Sequence, residues 1–162
     1  MAAAPAGIST LKMKVGYCVE TTAGTRPSTG YKMLQRCVSV GALAITNENL
    51  DATALEDDIK RYIAGIGDTG GSTTLTFNIS DGVATEIETL IDDYNDGMEG
   101  GNKGTWFVVW SPFLTKSFFF KGEPPQKIGM PEIGTNTVMQ VEVPITVSDY
   151  HGLDTAVEPT MQ

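Results

Sequence analysis

The chain is poor in the residues that most active-site chemistry needs. It has one histidine, His151, and two cysteines, Cys18 and Cys37, among 162 residues. A Ser-His-Asp triad, a two-histidine metal site and a zinc ligand set are therefore hard to build. Basic charge is also scarce. Eleven Lys and Arg stand against twenty Asp and Glu, a net charge of −9. That balance argues against a nucleic-acid binder, which needs a basic footprint, and against docking on an anionic membrane. No run approaches the roughly 20 apolar residues of a membrane-spanning helix. The opening MAAAPAGIST has no basic n-region and no apolar h-region, so no secretory signal is visible. In that setting two buried, reduced thiols are better motivated than a cross-strand disulfide between Cys18 and Cys37, which stays the alternative.

What is present is enough hydrophobic sequence, 41%, for one domain with a real core. Residues 1–10 are small and polar and read as an N-terminal arm. Residues 11–19 alternate, with Leu11, Met13, Val15, Tyr17 and Val19 on one face of a half-buried strand. Residues 31–46 read as one long strand or a bent pair, with Gly41 at the bend. Residues 73–79 alternate cleanly. A helix follows over 82–95, capped by Ser80 or Asp81, with Val83, Ile87, Leu90, Ile91 and Tyr94 as its apolar stripe and Gly97 and Gly100-Gly101 at its end. Thr105–Trp110 and 113–121 are apolar on both faces and so need cover on both. The helix can supply part of one cover and a second sheet the other. Pro124, Pro125 and Pro131 keep 122–136 out of a sheet interior. The last alternating strand is 138–148, and 149–162 reads as a polar, mobile tail.

The sum is an α+β, mostly β fold. About six to seven strands form a two-sheet sandwich or rolled barrel with one packed helix, a single domain over 11–148. The odd piece is the polar excursion at 47–72, since long insertions in compact domains usually have a function. Thr53 and Glu56 fit a capping box, and Leu55, Ile59, Tyr62 and Ile66 follow helical spacing, which predicts a short helix. An ordered loop that docks its apolar residues on a neighbour is the alternative.

Catalytic motifs fail on context. Gly65-Ile66-Gly67-Asp68-Thr69-Gly70 matches G-x-G-x-x-G but precedes a strand instead of opening a helix. Asp92 to Gly97 resembles the start of a calcium loop, but Tyr94 holds the third ligand position and Lys103 the twelfth. The acids there sit against the helix dipole and read as solvated. Trp106 and Trp110 share a face and could form a sugar platform, though core burial accounts for them better. No catalytic, cofactor-binding or metal-binding residue is assigned, and the chain reads as a non-enzyme.

Assembly is better motivated. Several strands look long and unblocked at their edges, and a closed ring can use such edges. The arm, the 47–72 excursion and the 122–136 segment are three projections able to reach another copy. Asp51, Leu55-Glu56-Asp57, Lys60, Tyr62 and Gly65, then Asp68-Thr69-Gly70-Gly71 and Leu75-Thr76-Phe77-Asn78, resemble the central segment of major tail tube proteins of long-tailed, siphovirus-type bacteriophages and prophages. The order of elements is similar over most of the chain. The resemblance implies a structural virion protein whose copies form stacked, hexameric rings around a conduit for DNA ejection, with no cofactor. It implies inter-subunit contacts at Leu55, Glu56, Asp57, Lys60, Arg61 and Tyr62. Its implied partners are other copies, a tape measure protein and tail terminator or distal tail proteins. DNA would pass through unbound, no membrane would be involved, and the site would be the virion tail, assembled in the host bacterial cytoplasm. The inner tube of a contractile tail, tailocin or secretion system is the nearest rival. A carbohydrate-binding or adhesin sandwich is the more distant one.

Overall fold

The computed structural model describes residues 6–162. Among them are nine strands and one helix: β1 (Lys14–Val19), β2 (Lys32–Leu34), β3 (Cys37–Val40), β4 (Thr46–Asp51), β5 (Tyr62–Asp68), β6 (Ser72–Asn78), α1 (Asp81–Glu99), β7 (Thr105–Trp110), β8 (Lys116–Glu123) and β9 (Gln140–Thr155). Seven strands make one antiparallel sheet in the order β2-β1-β7-β8-β9-β6-β3, and β4 and β5 make a separate two-stranded sheet. The mostly β fold with a single packed helix stands as expected, and the sheet does not close into a barrel.

The two layers of the domain are halves of the same sheet. The first part of β9 pairs with β6 from Gln140 to Thr146, and the second part pairs with β8 from Thr146 to Thr155. At the join, Thr146 faces Ser72 on one side and Glu123 on the other. The join needs a close approach. A Cβ on Gly122 would collide with the Ile145 side chain and lie 3.1 Å from the Thr146 carbonyl oxygen. Pro144 is tolerated in the ladder because the β8 pairing begins only at Thr146, so the side of β9 that lacks an N–H has no partner there.

Between the layers lies the main core. Val15, Tyr17, Leu75, Phe77, Phe107, Phe120, Val143 and Ile145 meet there, and α1 adds Val83, Ile87, Leu90 and Ile91. The helix is capped by Ser80, whose side chain accepts from the Val83 N–H. It runs past the predicted end to Glu99, and Gly97 lies inside it. Asp93 is not merely solvated. It accepts hydrogen bonds from Tyr17 Oη at 2.7 Å and Lys32 Nζ at 3.1 Å, which fastens α1 to β1 and β2. A smaller cluster, Tyr31, Trp106, Val108 and Phe119, sits on the outer face of the first layer, and so β7 and β8 are covered on both sides as their composition demands.

Four expectations need correction. The first strand begins at Lys14, because Lys12 takes a left-handed φ of 60° and Leu11 stays exposed. The 31–46 stretch divides into β2 and β3 at Arg36, also at φ 60°, and then leaves the sheet. The 53–66 stretch forms no helix, as described below. The tail is not free beyond Ser148: β9 continues to Thr155 because irregularities in the β8 ladder absorb the extra residues. The chain then crosses the outer face of the first layer. The Val157 N–H donates to Ser117, Glu158 pairs with Lys14 at 2.6 Å, and Thr160 bridges the edge of β2. The N-terminal arm lies partly outside the described residues, and 6–10 are exposed.

Candidate assembly interface

The polar excursion is a β-hairpin. Thr46 faces Asp68, Leu50 faces Ile63 and Asp51 faces Tyr62, with an irregularity between Asn47 and Asn49. Residues 52–61 form its tip. Of the two residues that suggested a helix cap, Thr53 closes this tip instead, and Asp57 does so beside it while Glu56 stays exposed. Thr53 Oγ1 accepts from the Arg61 N–H at 2.9 Å, and Asp57 accepts from the Ala54 N–H at 2.8 Å and from Arg61 Nε at 2.8 Å. Hydrogen bonds from Thr53 hold the Asp51 carboxyl below its usual range. Those from the Ala54 N–H, and then from Arg61, do the same for Asp57. β-branched Ile63 and Ile66 interleaved with Gly65 and Gly67 were the signal for a strand, since glycine is a poor helix former.

The structure therefore separates the six predicted contact residues into two groups. Asp57 and Arg61 are tied to each other inside the tip. Leu55, Glu56, Lys60 and Tyr62 point into solvent, with Leu55 fully exposed. Around them the hairpin exposes Ile59 and Ile66, the latter 89% exposed, and also Leu50 and Ile63, which helical spacing did not bring together with them. Leu50 lies across Gly65, and Ile45 lies over Gly67, where a Cβ would approach its side chain to 2.8 Å. The hairpin pairs with no other strand among the described residues. An isolated two-stranded ribbon is at best marginally stable in water.

Two other surfaces are unusual. The 124–139 segment carries Met130, Ile133 and Val138 in the open, each at least 70% exposed. It lies over the outer face of β6 and β9, where Thr74, Thr76, Gln140 and Glu142 line a shallow cleft. The outward side chains of this layer, Thr74, Thr76, Asn78, Gln140, Glu142, Thr146 and Ser148, include no Lys or Arg.

The enzyme and sugar motifs find no site. Gly65 and Gly67 belong to β5, and Gly70-Gly71 is a left-handed turn into β6. Asp92 to Gly97 lies within α1. No group of three or more His, Cys, Asp or Glu could hold a metal among the described residues. Trp106 is buried and donates its ring N–H to Glu20. Trp110 is half-buried beneath Lys14. His151 is bonded to Asp154 on β9. No helix among the described residues is long and apolar enough to cross a membrane.

Neither a protein-family model nor a curated protein matches the chain. Solved structures do. A chain of the anti-feeding prophage (AFP) baseplate, determined by cryo-EM, aligns with a TM-score of 0.57 at 13% identity over 95% of this chain and 98% of that one. A chain from the tail of an empty GTA particle, refined with C6 symmetry, gives 0.57 at 13% over 93% and 99%. The SPP1 tail tube subunit gives 0.52 at 11% over 90% and 78%. At these identities the likeness is one of fold, and it does not single out the long-tailed phages. The chain has the fold of phage-type tail tube and baseplate subunits.

Proposed function

We propose that this chain is a self-assembling tail tube subunit, with copies forming stacked rings, six to a ring, around a bore through which DNA leaves the particle. The observation that carries this reading is the β4–β5 hairpin: an unsupported ribbon, apolar on its exposed surface, on a domain whose fold is that of tail components. A ribbon of this kind gains stability only by packing on something else, and another copy is always at hand in a homopolymer. The three similar structures come from particles described by sixfold symmetry or as a tube. In this reading the protein is structural, sits in the virion tail after assembly in the host cytoplasm, and meets tape measure and terminator or distal tail proteins at the tube's ends.

Conduction in this reading is passive. We assign the outer face of β6 and β9 to the bore, because the outward side chains of its strands offer no cation to a phosphate. Glu142 there, and the overall net charge of −9, keep DNA mobile by a repulsion that salt screens within about 8–10 Å. A bore mapped as net basic would overturn this assignment and leave the tube intact. Negative-stain microscopy of purified protein at rising concentration tests the tube itself. Hollow rings or tubes of uniform bore are expected, and a monomer under all conditions would refute it. A second reading, the inner tube of a contractile tail, tailocin or secretion system, is favoured by the equal likeness to the AFP baseplate chain. Co-purification of a sheath protein with native tubes would select it.

A further inference from the structure

Residues 129–138 stand over the sheet face assigned to the bore, and little holds them there. The chain is fixed on either side of them. Pro124 is buried after β8, Ile128 packs on the main core, and the Met139 carbonyl accepts from the Ile79 N–H at 3.1 Å. Between these anchors the one hydrogen bond among the described residues is internal. Thr137 Oγ1 donates to the Gly134 carbonyl at 3.4 Å, across a turn with Asn136 at a left-handed φ of 55°. No strand pairs with the stretch, and Glu132 joins no ion pair among the described residues. Met130, Ile133 and Val138 lie in water.

The surface beneath is mainly polar, and a cleft of about 620 Å³ separates it from the stretch. Two carboxylates line this cleft, Glu132 from the stretch and Glu142 from β9, and no Lys or Arg does. Like charges across the gap push the stretch outward. A segment with few buried contacts and no backbone tie to its neighbours belongs to the low end of local stability. In a ring the bore faces of all copies turn toward one axis. Each copy brings another Glu142 toward that axis, and the space open to the stretch shrinks. We propose that 129–138 is a displaceable cover, closed over the bore-facing sheet in the free subunit and driven off it as copies assemble. A closed cover therefore opposes assembly. The inference rests on the tube-subunit reading and its bore assignment, and it adds a restraint on when rings form.

Tying the cover down on the full chain tests this. In a Cys18→Ser/Cys37→Ser background, Thr76→Cys and Glu132→Cys are joined by a short bis-maleimide that reductant cleaves. The tied protein should need at least about tenfold more protein to assemble, and cleavage should return it to within about threefold of its untied parent. Either single-cysteine variant carrying the capped reagent should assemble like the parent. Charge exchange reads the same motion without a linker. Glu132→Lys or Glu142→Lys alone draws the cover onto the sheet and should raise the assembly concentration about threefold, whereas E132K/E142K restores like charges and should fall back to the wild-type value. Circular dichroism and melting of each monomer should match wild type. If the tied protein assembles at its parent's concentration, or the charge variants all assemble alike, the cover has no need to move and the proposal is wrong, while the tube stands. If wild type never assembles, the tube reading fails and this inference falls with it.

Discussion

Glu20 follows β1 with its side chain fully inside the protein. It accepts from the Trp106 ring N–H at 2.9 Å, the Gly24 N–H at 2.8 Å and the Gly104 N–H at 3.1 Å, and it pairs with Lys121 at 3.0 Å. Burial alone would raise its pKa, but these donors outweigh burial and hold the carboxyl below its usual value. A depressed carboxylate adds stability above its unfolded pKa, about 4.3, and that contribution is lost as the pH falls through the folded value. Glu20→Gln removes the charge and turns an amide N–H₂ toward donors. We expect a loss of about 2–4 kcal/mol in urea unfolding at pH 7, and a flatter stability profile below pH ~5 than wild type. The cysteines give a second test at this scale. Cys37 packs on the inner core and Cys18 on the outer cluster, so they cannot bond within one chain. Burial pushes the Cys37 thiol up to about 11 and raises that of Cys18. Thiol titration without reductant should find both free in denaturant and slow to react in the native protein.

At the scale of elements, α1 carries its constraint at Gly97. A Cβ there would lie 2.7 Å from both the Lys103 carbonyl oxygen and Val19 Cγ1. Alanine is the better helix former by about 1 kcal/mol, yet backbone would have to move to admit it. Gly97→Ala should therefore lower the melting temperature, and a rise would show that the 100–104 turn yields easily. The helix, β6, β7 and most of β8 were legible because each buries one continuous pattern that composition alone marks. The hairpin was not. Its stability comes from cross-strand partners such as Leu50 and Ile63, and local spacing carries no record of them. The end of β9 was hidden for the same reason: Asp149 and Asp154 look like tail until the β8 ladder supplies their partners, Lys121 and Ser117. Of the predicted contact residues, Leu55 and Tyr62 keep their exposure on the hairpin instead of on a helix. Replacing both by Ser should leave the monomer's melting within about 0.5 kcal/mol of wild type and suppress assembly in sedimentation. Normal tubes from this variant would remove the hairpin from the interface.

For the whole molecule, the last residues act as a strap. Pro159 packs over Gly16, where a Cβ would approach the proline to 2.5 Å, and Thr160 exchanges hydrogen bonds with Tyr31 and Met33 along the β2 edge. An uncovered edge invites pairing with other chains. Deleting 157–162 should cost about 2 kcal/mol or more and increase light scattering on heating, whereas an unchanged melt would show that the strap is dispensable. β9 has a different consequence. Its sixteen residues bond to one layer and then to the other. For the layers to slip past each other, two ladders would have to shear together at Thr146. Such a subunit behaves under load as a stiff block, and any bending of a long assembly is left to the joints between blocks.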